Sequence, residues 1–139
     1  MGKNLQESLS NFTDRISDSI KSNKKILVTT HIDCDGLTSG SIITKALIRK
    51  GAKCTVRTTN EFSHNLIDKM QKETRDLHII TDLGGGFGKE LDEKLGENWI
   101  VLDHHEIPDG EIDNNKMINA WKFGFDGGVE ICAGGMAYL

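Results

Sequence analysis

The sequence predicts an α/β fold in which a parallel sheet of about five strands carries helices on both faces. Short apolar, β-branched runs at residues 25–30, 77–81 and 99–102 alternate with longer amphipathic segments, which is typical of βαβ units. A carboxylate or an imidazole follows each run directly, starting with His31, Asp82 and Asp103. Because the carboxyl ends of parallel strands lie at one edge of the sheet, we expect these side chains to converge there.

The first half of the chain contains three predicted helices and two predicted strands. Residues 2–22 place apolar side chains at steps of three and four, which indicates one face of an amphipathic helix: Leu5, Leu9, Phe12, Ile16 and Ile20. The first strand, at residues 25–30, is followed by a helix over residues 38–50 that ends before a glycine. Residues 53–57 form the second strand, and residues 63–73 form the third helix.

The second half continues the same alternation and ends in a helical pattern. Its predicted elements are a strand at 77–81, a glycine-rich turn, a helix at 88–95, a strand at 99–102, an acidic loop at 106–115, a strand at 117–119 and a helix from 131 onward. Leu139 lies inside an apolar helical pattern without a cap, so we expect the chain to be a fragment of a longer protein. The helical pattern and the alternation after it divide the sequence into an N-terminal amphipathic helix, residues 1–22, and one domain, residues 23–139.

Composition and charge exclude several classes of protein. The 139 residues carry a net charge of −4, so no overall basic field indicates nucleic-acid binding. The three cysteines show no CxxC spacing, which argues against a disulfide framework or a zinc knuckle. No signal peptide or membrane-spanning run is visible, so the sequence predicts a cytoplasmic protein without a membrane partner.

A first group of candidate ligands follows the first strand. His31, Asp33 and Asp35 are alternate residues, so in an extended segment their side chains point the same way and can chelate a cation. Gly36 permits a tight turn into the next helix. The structural alternative is a polar loop in which Asp35 helps to cap that helix.

The other candidates follow the later strands. Asp82 alone is also compatible with an ordinary turn, whereas Asp103-His104-His105 combines oxygen and nitrogen donors of the kind that manganese sites use. Asp126 is compatible with a turn as well, and the small residues at 132–135 could expose backbone N–H groups to a phosphate or simply permit close helix packing. Together these acids all fall after predicted strands, which favours one metal site.

The ordered set of HxDxDG, a single Asp, DHH and a later Asp resembles the DHH phosphoesterase superfamily, and the segment at 123–135 resembles its archaeal RecJ-like branch. The resemblance implies a DHH-domain fold and two cations, usually Mn²⁺, with Mg²⁺ or Co²⁺ as substitutes. It also implies hydrolysis of single-stranded DNA or RNA from an end, in DNA repair or replication. The family usually carries a C-terminal DHHA1-type substrate domain, and we expect no part of residues 1–139 to correspond to it.

The resemblance also implies a role for each candidate residue. The implied metal ligands are His31, Asp33, Asp35, Asp82, Asp103, His104 and Asp126. Asp103 and His105 are the implied catalytic residues, with His105 contacting the scissile phosphate or orienting a ligand. Gly134 and Gly135 belong to the small-residue motif that is implied to shape the phosphate pocket.

Two other functions stay open at this point. The enzyme could hydrolyse short oligonucleotides or other small phosphate compounds, because the discriminating pocket would lie mostly in the second domain. Alternatively, the protein could be a RecJ-related scaffold that binds replisome proteins, although the intact set of ligands argues against this. We expect residues 1–139 alone to be weakly active or inactive.

Overall fold

A computed structural model of the chain describes residues 3–108 and 115–139. It contains five strands, β1 to β5: Lys25–His31, Lys53–Thr59, Leu77–Thr81, Trp99–Asp103 and Met117–Asn119. Five α-helices, α1 to α5, accompany them: Lys3–Lys21, Cys34–Arg49, His64–Lys72, Gly88–Leu95 and Ala133–Tyr138. A 3₁₀ turn, Ala120–Phe123, follows β5. Residue 2 and residues 109–114, which belong to the predicted first helix and acidic loop, lie outside the described residues.

The strands form one parallel sheet in the order β2-β1-β3-β4-β5, as the alternation of strands and helices predicts. The chain runs outward from β1 to the edge strand β2 and then crosses back to β3 on the other side of β1. The strand order therefore reverses between β1 and β3, and in open α/β sheets such a reversal leaves a crevice at the carboxyl ends of the two strands.

Alternate residues of the central strands enter two separate cores. One core packs α1, α2 and α5 against the sheet and includes Ile79 and Ile100, both fully buried. The other packs α3 and α4 against the opposite face and includes their neighbours Ile80 and Val101. Because both faces are covered, β3 and β4 are buried along their whole length, and the predicted helices on both faces are confirmed.

Helix α2 begins four residues earlier than the predicted 38–50. Asp33 is its N-cap: the carboxylate accepts a hydrogen bond from the backbone N–H of Gly36 at 2.8 Å. Gly36 itself lies in the first turn of α2, where a Cβ would come within 2.3 Å of the His31 carbonyl oxygen. The glycine that looked like a turn before the helix is therefore required for the close approach of α2 to β1.

No helix among the described residues combines the length and the apolar character needed to cross a membrane.

Candidate metal centre

The end of β1 supplies His31 and Asp33. The Nδ1 atom of His31 lies 2.8 Å from Oδ2 of Asp33, and its Nε2 atom lies 3.2 Å from the carbonyl oxygen of Asn60. The N–H of Gly36 lowers the pKa of Asp33, so this half-exposed carboxylate stays charged. Asp33 therefore both caps α2 and leaves its second oxygen beside an imidazole.

Asp35 does not cap its own helix but binds the start of α5. Its two carboxylate oxygens accept hydrogen bonds from the backbone N–H groups of Ala133 at 2.7 Å and Gly134 at 2.8 Å. A Cβ on Gly134 would lie 3.3 Å from the same carboxylate, so the glycine permits this approach. The capping alternative considered from sequence is thus wrong for α2, where Asp33 takes that position, and Asp35 instead links α2 to α5.

Asp82 follows β3 and is 1% exposed. Its backbone has a φ of +63°, a left-handed conformation that aspartate tolerates better than most residues. Oδ1 lies 3.0 Å from Nε2 of His104, but Oδ2 is buried and has no hydrogen-bond donor among the described residues. Burial raises the pKa of Asp82, and the nearby carboxylates of Asp35 and Asp33 raise it further.

Asp103 ends β4 and is equally buried, and both oxygens of its carboxylate accept hydrogen bonds. Oδ2 accepts a hydrogen bond from the N–H of Gly85 at 2.9 Å, and Oδ1 accepts one from the N–H of His104 at 2.8 Å. Nδ1 of His105 also lies 2.7 Å from Oδ1. Burial opposes ionisation of Asp103, but the hydrogen bonds from His105 and Gly85 prevail and lower its pKa.

His104 stands between the ends of β1, β3 and β4. Its Nδ1 atom lies 2.6 Å from the carbonyl oxygen of Gly127, and Nε2 lies 3.3 Å from Oδ2 of Asp35 in addition to its contact with Asp82. The hydrogen bond with Asp82 is the main cause that raises the pKa of His104 to about 9. Nδ1 faces a carbonyl oxygen, so Nε2, which faces Asp82 and Asp35, is the ring atom at which a cation could replace a proton.

Side-chain atoms of ligand type converge in two groups, in each of which all the atoms lie within 4.8 Å of one another. The first group contains His31, Asp33 and Asp82, and the second contains Asp82, Asp103, His104 and His105. Asp82 belongs to both. Carboxylates and imidazoles together suit divalent cations, and the buried Oδ2 atom of Asp82, which has no hydrogen-bond donor among the described residues and lies 3.9 Å from Nδ1 of His31, is a place where a cation could bind. Each group could therefore hold a metal ion.

Asp126 is not part of either group. Its Oδ1 atom accepts a hydrogen bond from the N–H of Gly128 at 2.8 Å, as expected for a turn aspartate. The adjacent Gly127 nevertheless belongs to the site, since its carbonyl oxygen contacts His104 and a Cβ there would lie 1.7 Å from the His104 carbonyl oxygen. The assignment of Asp126 as a metal ligand stays a prediction.

The expected phosphate-binding N–H groups at the start of α5 already have partners. The carboxylate of Asp35 accepts a hydrogen bond from the N–H of Gly134, and Sγ of Cys132 accepts one from the N–H of Gly135 at 3.4 Å. A phosphate oxygen would therefore have to compete with Asp35 at Gly134. The roles of both glycines in phosphate binding stay predictions.

Three further residues hold the site together and were missed in the sequence. Nδ2 of Asn119, at the end of β5, donates to the carbonyl oxygen of His105 at 2.9 Å. Nε1 of Trp121 donates to the carbonyl oxygen of His104 at 2.9 Å. The backbone N–H of Gly85 donates to Oδ2 of Asp103, and a Cβ on Gly85 would lie only 2.8 Å from that oxygen. Only Asn119 carried a usable signal, because it follows a short apolar run as the other site residues do.

Solved structures with the same fold include two of RecJ. One is the crystal structure of RecJ in complex with Mn²⁺ from Thermus thermophilus, with a TM-score of 0.74, 22% identity, and coverage of 98% of this chain and 20% of that one. The other is a crystal structure of exonuclease RecJ bound to manganese, with a TM-score of 0.77, 22% identity, and coverage of 98% of this chain and 36% of that one. At this level of identity the likeness shows the fold.

Sequence comparison shows the family. An uncharacterised protein of Methanocaldococcus jannaschii is 39% identical over 120 residues, which are 82% of this chain and 28% of that protein. The chain thus spans less than a third of the length of that relative. Residues 25–139 match the family described as DHH family, N-terminal domain. The resemblance to the DHH family is confirmed, and the chain belongs to that family.

Proposed function

We propose that this domain hydrolyses phosphodiester bonds with the help of two divalent cations, Mn²⁺ in the first place, with Mg²⁺ or Co²⁺ as substitutes. The observation that carries the proposal is the position of Asp82, a buried carboxylate that belongs to both groups of ligand-type side chains and has one oxygen without a hydrogen-bond donor among the described residues. His31 and Asp33 would hold one cation together with Asp82. Asp103 and His104 would hold the other, with Asp35 beside His104.

Two cations bound in this way would acidify a water molecule and offset the charge that develops on the phosphate oxygens. The chain would orient the ester through His105, whose half-exposed side chain is held by Asp103. The hydrogen bond to Asp103 raises the pKa of His105, so the ring can carry a proton toward a phosphate oxygen. Asn119 fixes the backbone of His105 in this position.

The proposed substrate is single-stranded DNA or RNA, cut from an end. The likeness to RecJ supports this choice, since one of the RecJ structures is described as an exonuclease. The alternative, a short oligonucleotide or another small phosphate compound, uses the same ligands and differs only in how the rest of the substrate is held. Comparing hydrolysis of a long single strand with that of a dinucleotide by the full-length protein separates the two.

The decisive variant is Asp82→Asn, which keeps the shape of the side chain and removes the charge that both groups share. We expect it to lose Mn²⁺ binding measured by calorimetry and to reduce Mn²⁺-dependent hydrolysis by about 100-fold or more, since even residues outside the ligand set cost about 10- to 100-fold. Asp14→Asn, an exposed aspartate of α1, is the matched control and should retain both. Full activity of Asp82→Asn would refute the proposal.

A further inference from the structure

The positive charge of this acidic chain is concentrated in one segment. Residues 36–60, which cover most of α2 and all of β2, contain Lys45, Arg49, Lys50, Lys53 and Arg57 and no aspartate or glutamate. The chain as a whole carries a net charge of −4, so the rest of it is more acidic still. This flank of the sheet therefore differs in sign from the rest of the molecule.

An open groove of about 560 Å³ runs between α2 and the edge strand β2 on this flank. Lys45 and Arg49 are the charged residues that line it, and both are exposed. Neither forms an ion pair within the described part of the chain, whereas Arg57, on the same flank, pairs with Glu73. The groove thus presents two cations whose charge is not offset by a neighbouring carboxylate.

The floor and walls of the groove expose large apolar side chains. Leu37 is 48% exposed, Ile48 is 62% exposed and Val56 is 48% exposed. These three residues line the groove together with the two cations of α2. A ligand that fits the groove therefore combines negative charge with flat or apolar groups.

One end of the groove lies near the end of β1, where the proposed ligands begin. At one end lie Leu37 and Thr58, and Thr58 is the register partner of Thr30, the residue before His31. Leu37 itself follows Asp35 and Gly36 in the first turns of α2. At the other end lies Arg49, about 18 Å away at 1.5 Å per helical residue. A chain molecule lying in the groove would thus reach the end of β1, where the ligands begin.

We propose that the groove between α2 and β2 binds single-stranded nucleic acid next to the phosphoesterase site. Phosphates face Lys45 and Arg49, and bases pack on Leu37, Ile48 and Val56. Single strands supply both negative charge and unpaired bases whose faces can be buried. An acidic peptide with apolar side chains offers both features as well, but it has no reason to lie beside a site for phosphate esters. The proposal rests on the proposed function in one respect: the nucleic-acid strand is taken to run from the groove toward the metal ligands.

The test is binding of a labelled 12-nucleotide oligothymidylate to the full-length protein in EDTA, so that the cation site does not contribute. We expect the double variant Lys45→Glu/Arg49→Glu to weaken binding by about tenfold or more. It should also reduce the slope of log affinity against log salt, between about 50 and 200 mM KCl, by about 1.4, for two phosphate contacts at about 0.7 each. Ile48→Ser should weaken binding about fivefold with an unchanged slope, because it removes only base packing.

The matched control is Lys69→Glu/Lys72→Glu, which makes the same change of charge on α3, away from the groove. The proposal is overturned if this control loses as much affinity as the groove variant. It is also overturned if the groove variant binds oligothymidylate normally, or if an oligoglutamate peptide competes as well as oligothymidylate.

Hydrolysis of a dinucleotide with Mn²⁺ keeps the two proposals apart, because a dinucleotide is too short to occupy the groove. The groove variant should hydrolyse it as the unmodified protein does, which supports the groove proposal. If the unmodified protein hydrolyses neither dinucleotide nor long strand but binds oligothymidylate through Lys45 and Arg49, the proposed function fails and the groove proposal stands.

Discussion

The ends of β3 and β4 lie side by side in the sheet, and an aspartate that is 1% exposed stands at each. At the end of β4, the carboxylate of Asp103 receives hydrogen bonds from Gly85, His104 and His105. At the end of β3, Asp82 contacts His104 through one oxygen, while its other oxygen has no donor among the described residues. The two aspartates are equally buried. Both carboxylate oxygens of Asp103 accept hydrogen bonds, whereas one carboxylate oxygen of Asp82 does not, among the described residues.

Both aspartates are proposed ligands, but Asp103 also has a structural role. Asp103 organises the loop that carries both histidines, and its pKa is lowered as a result. Asp82 is buried and is repelled by Asp35 and Asp33, so its pKa is raised, and its backbone is left-handed. Other buried polar atoms, such as Oγ1 of Thr81, also have no hydrogen-bond partner among the described residues, but Asp82 differs in belonging to both groups of ligand-type side chains. A cation bound there would supply the missing partner of its carboxylate.

The largest effect on stability is expected from Asp103→Ala. It leaves the buried N–H of Gly85 and the loop N–H groups of His104 and His105 without an acceptor, so we expect a loss of about 3 kcal/mol in the free energy of unfolding. Urea unfolding in EDTA measures it. Asp126→Ala, which removes a single hydrogen bond in an exposed turn, is the control and should cost about 1 kcal/mol or less.

A pH titration of stability distinguishes the two ends of β3, because His78 lies near its start and Asp82 follows its end. Burial lowers the pKa of His78, near the start of β3, to about 4. Between the unfolded value near 6.5 and about 4, the unfolded chain binds a proton that the folded chain excludes, so stability falls as the pH falls through this window. At pH 5 we expect a loss of about 2 kcal/mol relative to pH 7.

His78→Phe should remove this part of the pH dependence in unfolding experiments, whatever the ligands of the site contribute. An unchanged slope between pH 7 and pH 5 in this variant would contradict the assignment and would place the titration at the carboxyl edge of the sheet instead.

The smallest effect on stability is expected at Asp82. In EDTA, Asp82→Asn should change the free energy of unfolding by about 1 kcal/mol or less, because it removes a charge that burial and two like charges disfavour but also weakens the hydrogen bond with His104. Saturating Mn²⁺ should raise the melting temperature of the unmodified protein but not that of the variant. If Asp82→Asn instead destabilises the protein as much as Asp103→Ala does, the two ends are equivalent and the comparison fails.

Much of the fold follows from local patterns. Short apolar, β-branched runs predict the strands and apolar periods of three to four residues predict the helices, and the structure differs mainly at boundaries such as the start of α2 at Cys34. That boundary was missed because Gly36 suggests a turn, whereas in the fold it is the residue that lets α2 approach β1 so closely. Local preference cannot report a contact of this kind, since it depends on where another element lies.

The alternation of strands and helices is enough to predict that the candidate ligands gather at one edge, because every parallel strand ends there. Which of them meet depends on how the strands and helices pack. The strand order places β3 between β1 and β4, so Asp82 joins both groups, while Asp35 is bound by the start of α5 and Asp126 by its own turn. The physical reason is that strand order and helix packing are set by contacts between residues far apart in the chain, and spacing along the sequence does not record those distances.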